Sequence, residues 1–214
     1  VQKRQGFGRK RDMIVGYKET GIINTCGPQT LAQRVGVIGG GIAGASVAAG
    51  LARRGAEAII FESGPKLANA ASGNRLALQS PRLAVDHNPM SQLSAACLAF
   101  ATDLSDKSGA SVVSPVIALD WPLREAERHN KFRRQFWPES LAFSLRSVDS
   151  ALQIGLGIPL AAMRYDHGRV IKPAKLIDWL ADGCSVIKNF KVSSCVQDDH
   201  GVKVIATDGR QENV

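Results

Sequence analysis

The first regular pattern of apolar and polar positions begins at Arg34. Val35, Val37 and Ile38 form a short apolar run, a cluster of glycines interrupts it, and a small-residue run continues to Arg53 and Arg54. An apolar run before the glycines predicts a strand, and the alanine-rich run after them predicts a helix to about Arg54. A second apolar run from Glu57 to Glu62 predicts another strand, so residues 34–62 read as the βαβ opening of a parallel sheet. A polar loop from Ser63 to about Ser80 follows. Met90, Leu93, Cys97, Phe100 and Leu104 then recur at spacings of three and four, which predicts an amphipathic helix carrying them as its apolar stripe, with Ser91 as its cap.

Strand-like runs at Ser111–Leu119 and Met163–Ile171, with helical stretches near Leu123–Phe136 and Ser147–Ile154, predict a second, mixed layer. Pro173 suits the first turn of a helix running through Ala181. From Val186 to Thr207 the alternation predicts strands around a turn at Asp198, Asp199, His200 and Gly201. The closing RQENV reads as a polar turn after which a further strand is expected. The chain thus reads as an incomplete piece, beginning at Val1 rather than at a methionine.

Composition narrows the class. With 214 residues, 44% hydrophobic and 21% charged, the chain can bury an ordinary core and is neither disordered nor fibrous. Its net charge of +8 admits an acidic partner, nucleic acid or anionic membrane, without choosing between them. The stretch from Val35 to Ala52 carries no charge, but its six glycines suit a packed strand, turn and helix better than a membrane span. No signal peptide is visible, and the four cysteines, Cys26, Cys97, Cys184 and Cys195, form no CxxC pair, so a cytoplasmic setting is expected. Before the first domain, residues 1–16 are basic through Lys3, Arg4, Arg9, Lys10 and Arg11, and residues 17–33 read as a linker with Gly21, Asn24, Gly27 and Pro28.

The chemistry sits in the glycine cluster. Gly39, Gly41 and Gly44 have GxGxxG spacing between a strand and a helix: Gly39 for a tight turn, Gly41 for backbone approach to a pyrophosphate, Gly44 for close packing of helix on strand. A pyrophosphate would meet the free amides around Ile42 and Ala43, where the helix dipole favours negative charge. Glu62, eighteen residues after Gly44 at the end of the second strand, is placed to accept both ribose hydroxyls of an adenosine. The spacing predicts a dinucleotide and leaves nicotinamide and flavin cofactors both open.

The span Val35–Glu62 resembles the first βαβ unit of the FAD-dependent amine oxidases related to D-amino-acid oxidase and glycine oxidase. The next segment, Ala71–Leu83 (ASGNRLALQSPRL), resembles the loop with which one branch of that family continues. The resemblance implies FAD as cofactor, with Ser72, Gly73 and Asn74 beside the flavin diphosphate and ring and, by analogy, Val192 holding the adenine through its backbone. The opening GFGRKRDMIVG, Gly6–Gly16, resembles the closing segment of the methyltransferase domain in a family of bifunctional bacterial enzymes that finish 5-methylaminomethyl-2-thiouridine at the tRNA wobble position. The implied fold is α/β: a Rossmann-like FAD-binding domain of the D-amino-acid oxidase type with part of a mixed α+β substrate domain. Residues 1–16 would be the methyltransferase tail, 17–33 the linker, and 34–214 an incomplete oxidoreductase domain. Within it, 34–85 and about 170–214 would bind FAD, and about 86–169 would form the helical and substrate layer.

The implied reaction is oxidative removal of the carboxymethyl group from 5-carboxymethylaminomethyluridine, or its 2-thio form, in tRNA. The flavin takes a hydride beside an amine, and no catalytic side chain is assigned. A free amino-acid or glycine oxidase of the same fold, and a non-catalytic nucleotide- or RNA-binding module, remain the alternatives. His87, His129, His167 and His200 lack metal-ligand spacing and read as surface or loop histidines, with no metal expected. Arg124, Arg128, Lys131, Arg133 and Arg134, with Phe132, Phe136 and Trp137, are either a basic and aromatic RNA surface or the two faces of one amphipathic helix.

Overall fold

A computed structural model of the chain describes residues 2–5, 12–15, 34–86, 88–132, 142–146, 148–149, 155, 157, 160–198 and 201–214. The expected linker at 17–33 lies outside the described residues. So do His87, His200, Arg133, Arg134, Phe136 and Trp137, and most of the helix expected at Ser147–Ile154. Near the start, β1 (Gln2–Gln5) pairs antiparallel with β2 (Asp12–Val15).

The expected βαβ unit is present. β3 (Arg34–Ile38) and β4 (Glu57–Phe61) are parallel, with α1 (Ile42–Ala52) between them in sequence. Later in the chain, α4 (Pro173–Leu180) leads into β11 (Ser185–Ile187), which joins the other edge of β4 to give the order β11-β4-β3. Pro173 occupies the first turn of α4, where its missing N–H costs no helical bond. Side chains of β4 alternate: Ala58 and Ile60 meet Val37, Ala48 and Ala181, while Ile59 and Phe61 meet Phe190, Val204 and Ala206. The second set belongs to an antiparallel meander of β12 (Val192–Asp198), β13 (Gly201–Ala206) and β14 (Gln211–Asn213). The expected polar turn at RQENV is therefore itself a strand. Val202 and Val214 exchange main-chain hydrogen bonds, and that ladder outweighs the polarity of the segment.

The intervening residues build the second layer. The polar loop contains a 3-10 turn (Ala71–Gly73) and β5 (Ala77–Gln79). The run at 111–119 divides into β6 (Ser111–Val113) and β7 (Val116–Leu119), and the run at 163–171 into β9 (Ala162–Tyr165) and β10 (Arg169–Ile171). With β8 (Phe143–Leu145) they form two antiparallel sheets, β5-β10-β6 and β7-β9-β8. The helix expected over Leu123–Phe136 is α3 (Leu123–Phe132) within the described residues.

α2 (Pro89–Lys107) corrects the expected packing. Its cap is Asn88, whose side chain accepts from the Ser91 amide, rather than Ser91 itself. Its buried residues are Ser91, Leu98, Thr102 and Ser105; of the expected stripe only Leu104 is half-buried against the core, while Met90, Leu93, Cys97 and Phe100 are exposed. The polar face goes inward because it is satisfied there: Thr102 Oγ1 lies 2.7 Å from the His167 carbonyl, and Ser105 Oγ donates to Gln79 Oε1 at 2.9 Å. His129 is a second correction. It is 2% exposed, with Nδ1 2.6 Å from Asp120 Oδ1, so a carboxylate compensates its burial.

Candidate dinucleotide site

The turn after β3 is held from below by the end of β4. Gly39 donates its amide to the Phe61 carbonyl at 2.8 Å and has φ of +101°, a conformation that favours glycine. Gly44 lies against that turn, since a Cβ added there would stand 1.9 Å from the Gly39 carbonyl oxygen. No side chain of the N-cap residue, Gly41, caps α1, and its first turn carries no acidic residue. The Ile42 amide instead takes Ser72 Oγ as acceptor at 3.2 Å. A Cβ on Gly41 would project into otherwise open space, meeting only the Ser72 side chain. Ile42 and Ala43 are exposed at the same helix end. Main-chain donors and a hydroxyl at the end of a helix with no acid in its first turn suit a diphosphate.

Glu62 follows directly on β4, is 7% exposed, and is held on both carboxylate oxygens. Oε2 accepts from the Gly40 amide at 2.8 Å; Oε1 accepts from the Gly64 amide at 2.7 Å and from Ser63 Oγ at 3.1 Å. Burial alone would raise its pKa, but the hydrogen bonds from Gly64, Gly40 and Ser63 outweigh that, and the carboxyl is held below the ordinary glutamate value. Glu62 therefore fastens the glycine turn to the loop after β4. Oε2 has taken one donor of the two it can accept, which leaves capacity for a ribose hydroxyl.

Gly40 and Gly64 join this site without having been singled out from the sequence. A Cβ on Gly40 would meet Leu67 Cδ2 at 2.4 Å and Glu62 Oε2 at 2.9 Å, so only glycine admits the carboxylate this close. The run Gly39-Gly40-Gly41 carried that signal, one glycine more than the spacing rule needs. Gly40 also accepts from the Ala68 amide at 2.9 Å, which pins the loop leading to Ser72. Gly73 is required there: its Cβ would stand 2.5 Å from the Ala68 carbonyl oxygen. Asn74 ends the 3-10 turn, exposed. Thus Gly39, Gly41, Ile42, Ala43, Gly44, Glu62, Ser72, Gly73 and Asn74 lie on connected backbone around one helix end. Val192 reaches its vicinity through Phe190, whose amide donates to the Glu62 carbonyl at 2.8 Å. It begins β12, an edge strand in the order β12-β13-β14, so one backbone side is not paired within that sheet.

Among the described residues no group of three or more His, Cys, Asp or Glu could hold a metal ion, and no helix is long and apolar enough to cross a membrane.

Comparison with known proteins agrees with this geometry. Residues 34–214 match the family model described as FAD dependent oxidoreductase. The chain is 30% identical over 192 residues to the tRNA 5-methylaminomethyl-2-thiouridine biosynthesis bifunctional protein MnmC of Vibrio cholerae serotype O1 (strain M66-2), an alignment covering 84% of this chain and 28% of that protein. To the protein of the same name from Marinobacter nauticus it is 26% identical, over 98% of this chain and 34% of the relative. The chain thus spans about three-tenths of the length of these curated relatives. Among solved structures, glycine oxidase from Bacillus cereus superposes with a TM-score of 0.64 at 22% identity, covering 85% of this chain and 53% of that one. Glycine oxidase from Geobacillus kaustophilus gives 0.65 at 21% identity, covering 86% and 54%. The fold is that of the glycine oxidases, and over residues 34–214 the chain belongs to the family of FAD-dependent oxidoreductases.

Proposed function

We propose that this chain is the FAD-binding part of a tRNA-modifying oxidoreductase that removes the carboxymethyl group from 5-carboxymethylaminomethyluridine, or its 2-thio form, at the wobble position, leaving the aminomethyl nucleoside. The observation that carries the reading is the convergence of the glycine turn, Glu62 and Ser72 on one open helix end, in a chain alignable over 84–98% of its length with MnmC proteins. Residues 34–214 make up about 85% of the chain, so an alignment over 98% also takes in residues of the opening. That supports reading 1–16 as the end of a preceding methyltransferase domain and 17–33 as a linker. The β1–β2 pair is compatible with such an ending.

FAD held here would supply the oxidant: it would accept a hydride from the carboxymethyl methylene beside the amine, the amine N–H proton would leave to solvent, and water would split the resulting imine into the aminomethyl nucleoside and a two-carbon aldehyde acid. The residues of this chain bind and orient. The α1 amides and Ser72 would hold the diphosphate, Glu62 a ribose hydroxyl, Gly73 and Asn74 the approach to the ring, and the free backbone side of Val192 the adenine. The substrate assigns the protein to the cytoplasm, and the basic opening at Lys3, Arg4, Arg9, Lys10 and Arg11 offers further phosphate contacts.

The test is anaerobic reduction of the purified, intact protein. Released cofactor should be FAD, and the flavin absorbance should bleach with tRNA carrying the carboxymethylaminomethyl group but not with glycine. Release of NAD, or bleaching by glycine and not by the tRNA, refutes the reading.

A further inference from the structure

Two described residues other than glycine have a backbone in the left-handed region, Ala68 at φ of +57° and Asn189 at φ of +52°. Both stand against the dinucleotide site. The Ala68 amide donates to the Gly40 carbonyl and the Asn189 amide to the Gly64 carbonyl, each at 2.9 Å. Conformations of this kind persist where the surrounding contacts fix them, and they gather at functional sites. Asparagine adopts this one at lower cost than most residues. The next amide, of Phe190, donates to the Glu62 carbonyl at 2.8 Å. The Phe190 ring, 1% exposed, packs on Phe61 with centroids 5.0 Å apart. The turn from β11 into β12 is thereby seated on the residues around Glu62.

Arg210, between β13 and β14, holds the same turn from the meander. Its Nη2 donates to the Asn189 carbonyl, and its guanidinium carbon lies over the Phe190 ring, 5.1 Å from the centroid. Asp208 fixes that guanidinium in turn: Oδ2 accepts from Arg210 Nε at 2.9 Å and Oδ1 from the Arg210 amide at 3.2 Å. A planar fork that donates to a carbonyl and a carboxylate while lying on a ring fixes direction as well as distance. The turn leads directly to Val192, which pairs with Ala206 on β13, and the Thr207 amide donates to the Lys191 carbonyl at 2.8 Å. Main-chain bonds thus attach Val192 to the meander, and Arg210 attaches the meander to the turn beside Glu62.

We propose that Arg210 is a positioning residue for the adenosine end of FAD, holding the backbone of Val192 at a set distance from Glu62 so that adenine and ribose are gripped together. The inference rests on the dinucleotide reading of the site above. Glu62 follows a strand of one sheet and Val192 begins a strand of another, so no common ladder sets their separation. Asn189 and Phe190 bridge the two, and Arg210 is the side chain that locks the bridge. A frame set before binding spares the ligand and the loops around it part of the cost of ordering. The role acts through the turn and requires no contact between Arg210 and the cofactor.

The experiment uses the intact protein freed of flavin, titrated with FAD and with ADP, which carries the adenosine and diphosphate without the flavin ring. Arg210→Ala should weaken both by a common factor of about three to ten, the equivalent of one net hydrogen bond. Arg210→Lys keeps the charge but not the planar fork, and should recover only part of that factor. Asp208→Asn leaves Arg210 in place with a weaker partner and should give a smaller loss of the same kind. A urea denaturation curve accompanies each titration, so that affinity is referred to folded protein. A lowered midpoint with wild-type ADP affinity in Arg210→Ala makes Arg210 a structural residue only and overturns the assignment. Full recovery in Arg210→Lys also overturns it, since attraction of the diphosphate to a positive charge would then explain the effect. If the wild-type protein binds neither FAD nor ADP, the dinucleotide reading itself fails.

Discussion

Replacing Glu62 separates its work in the fold from its proposed work on the ribose. In Glu62→Ala the Gly40 and Gly64 amides, 2.8 and 2.7 Å from the carboxylate, both lose their acceptor. A buried donor left unsatisfied costs about 1–3 kcal/mol, so the pair costs about 2–6 kcal/mol before any water enters. Glu62 retains 7% exposure, so water can partly replace it, and about 2–4 kcal/mol is expected. Glu62→Gln keeps one oxygen and turns an NH2 toward the other amide, for about 1–3 kcal/mol. Urea denaturation of the flavin-free protein, followed by tryptophan fluorescence, measures both. Because the folded pKa is depressed, the charged form stabilises the fold above the ordinary glutamate pKa of about 4.3. That contribution fades as pH falls toward and through the lower folded value, so the gap between wild type and Glu62→Gln should narrow in acid. If flavin-free Glu62→Ala is within about 0.5 kcal/mol of wild type at neutral pH, the carboxylate does not hold the turn and the reasoning fails.

Gly44→Ala should displace α1 from the turn, because its Cβ falls 1.9 Å from the Gly39 carbonyl oxygen; a loss of about 1–3 kcal/mol or more and purification without flavin are expected, read by denaturation and by visible absorbance. On α2, Leu98→Ala should cost about 2–5 kcal/mol, since the side chain is 4% exposed, whereas Phe100→Lys at 62% exposure should stay within about 0.5 kcal/mol. The reverse order in thermal or urea denaturation would restore the apolar stripe as the buried face.

The parts of the molecule legible in the sequence are those fixed by local sterics. A glycine at φ of +101° and another whose Cβ would strike a carbonyl oxygen admit no substitute, so Gly39 and Gly44 announce the turn by residue type alone. β4 is equally legible, because both of its faces are covered by apolar residues and its sequence is therefore a continuous apolar run. α2 shows where this stops. Its period was right and its phase wrong: Ser91, Thr102 and Ser105 recur with helical spacing just as Met90, Leu93, Cys97 and Phe100 do. Which set goes inward depends on Gln79 and the His167 carbonyl, 26 and 65 positions away along the chain.

The same rule governs His129 against Asp120, and Glu62 against Gly40. A polar residue enters the interior when distant partners satisfy it, and hydropathy records the residue without the partners. Glu62 was legible as a position because its distance from Gly44 is counted along the chain. Its second task was not, because the Gly40 amide that its carboxylate accepts lies 22 positions back along the chain. The carboxylate that the sequence marks for a ribose is thus also what sets the spacing between turn and loop. At the proposed site, cofactor affinity would then depend on a geometry that Glu62 helps to make before any cofactor arrives.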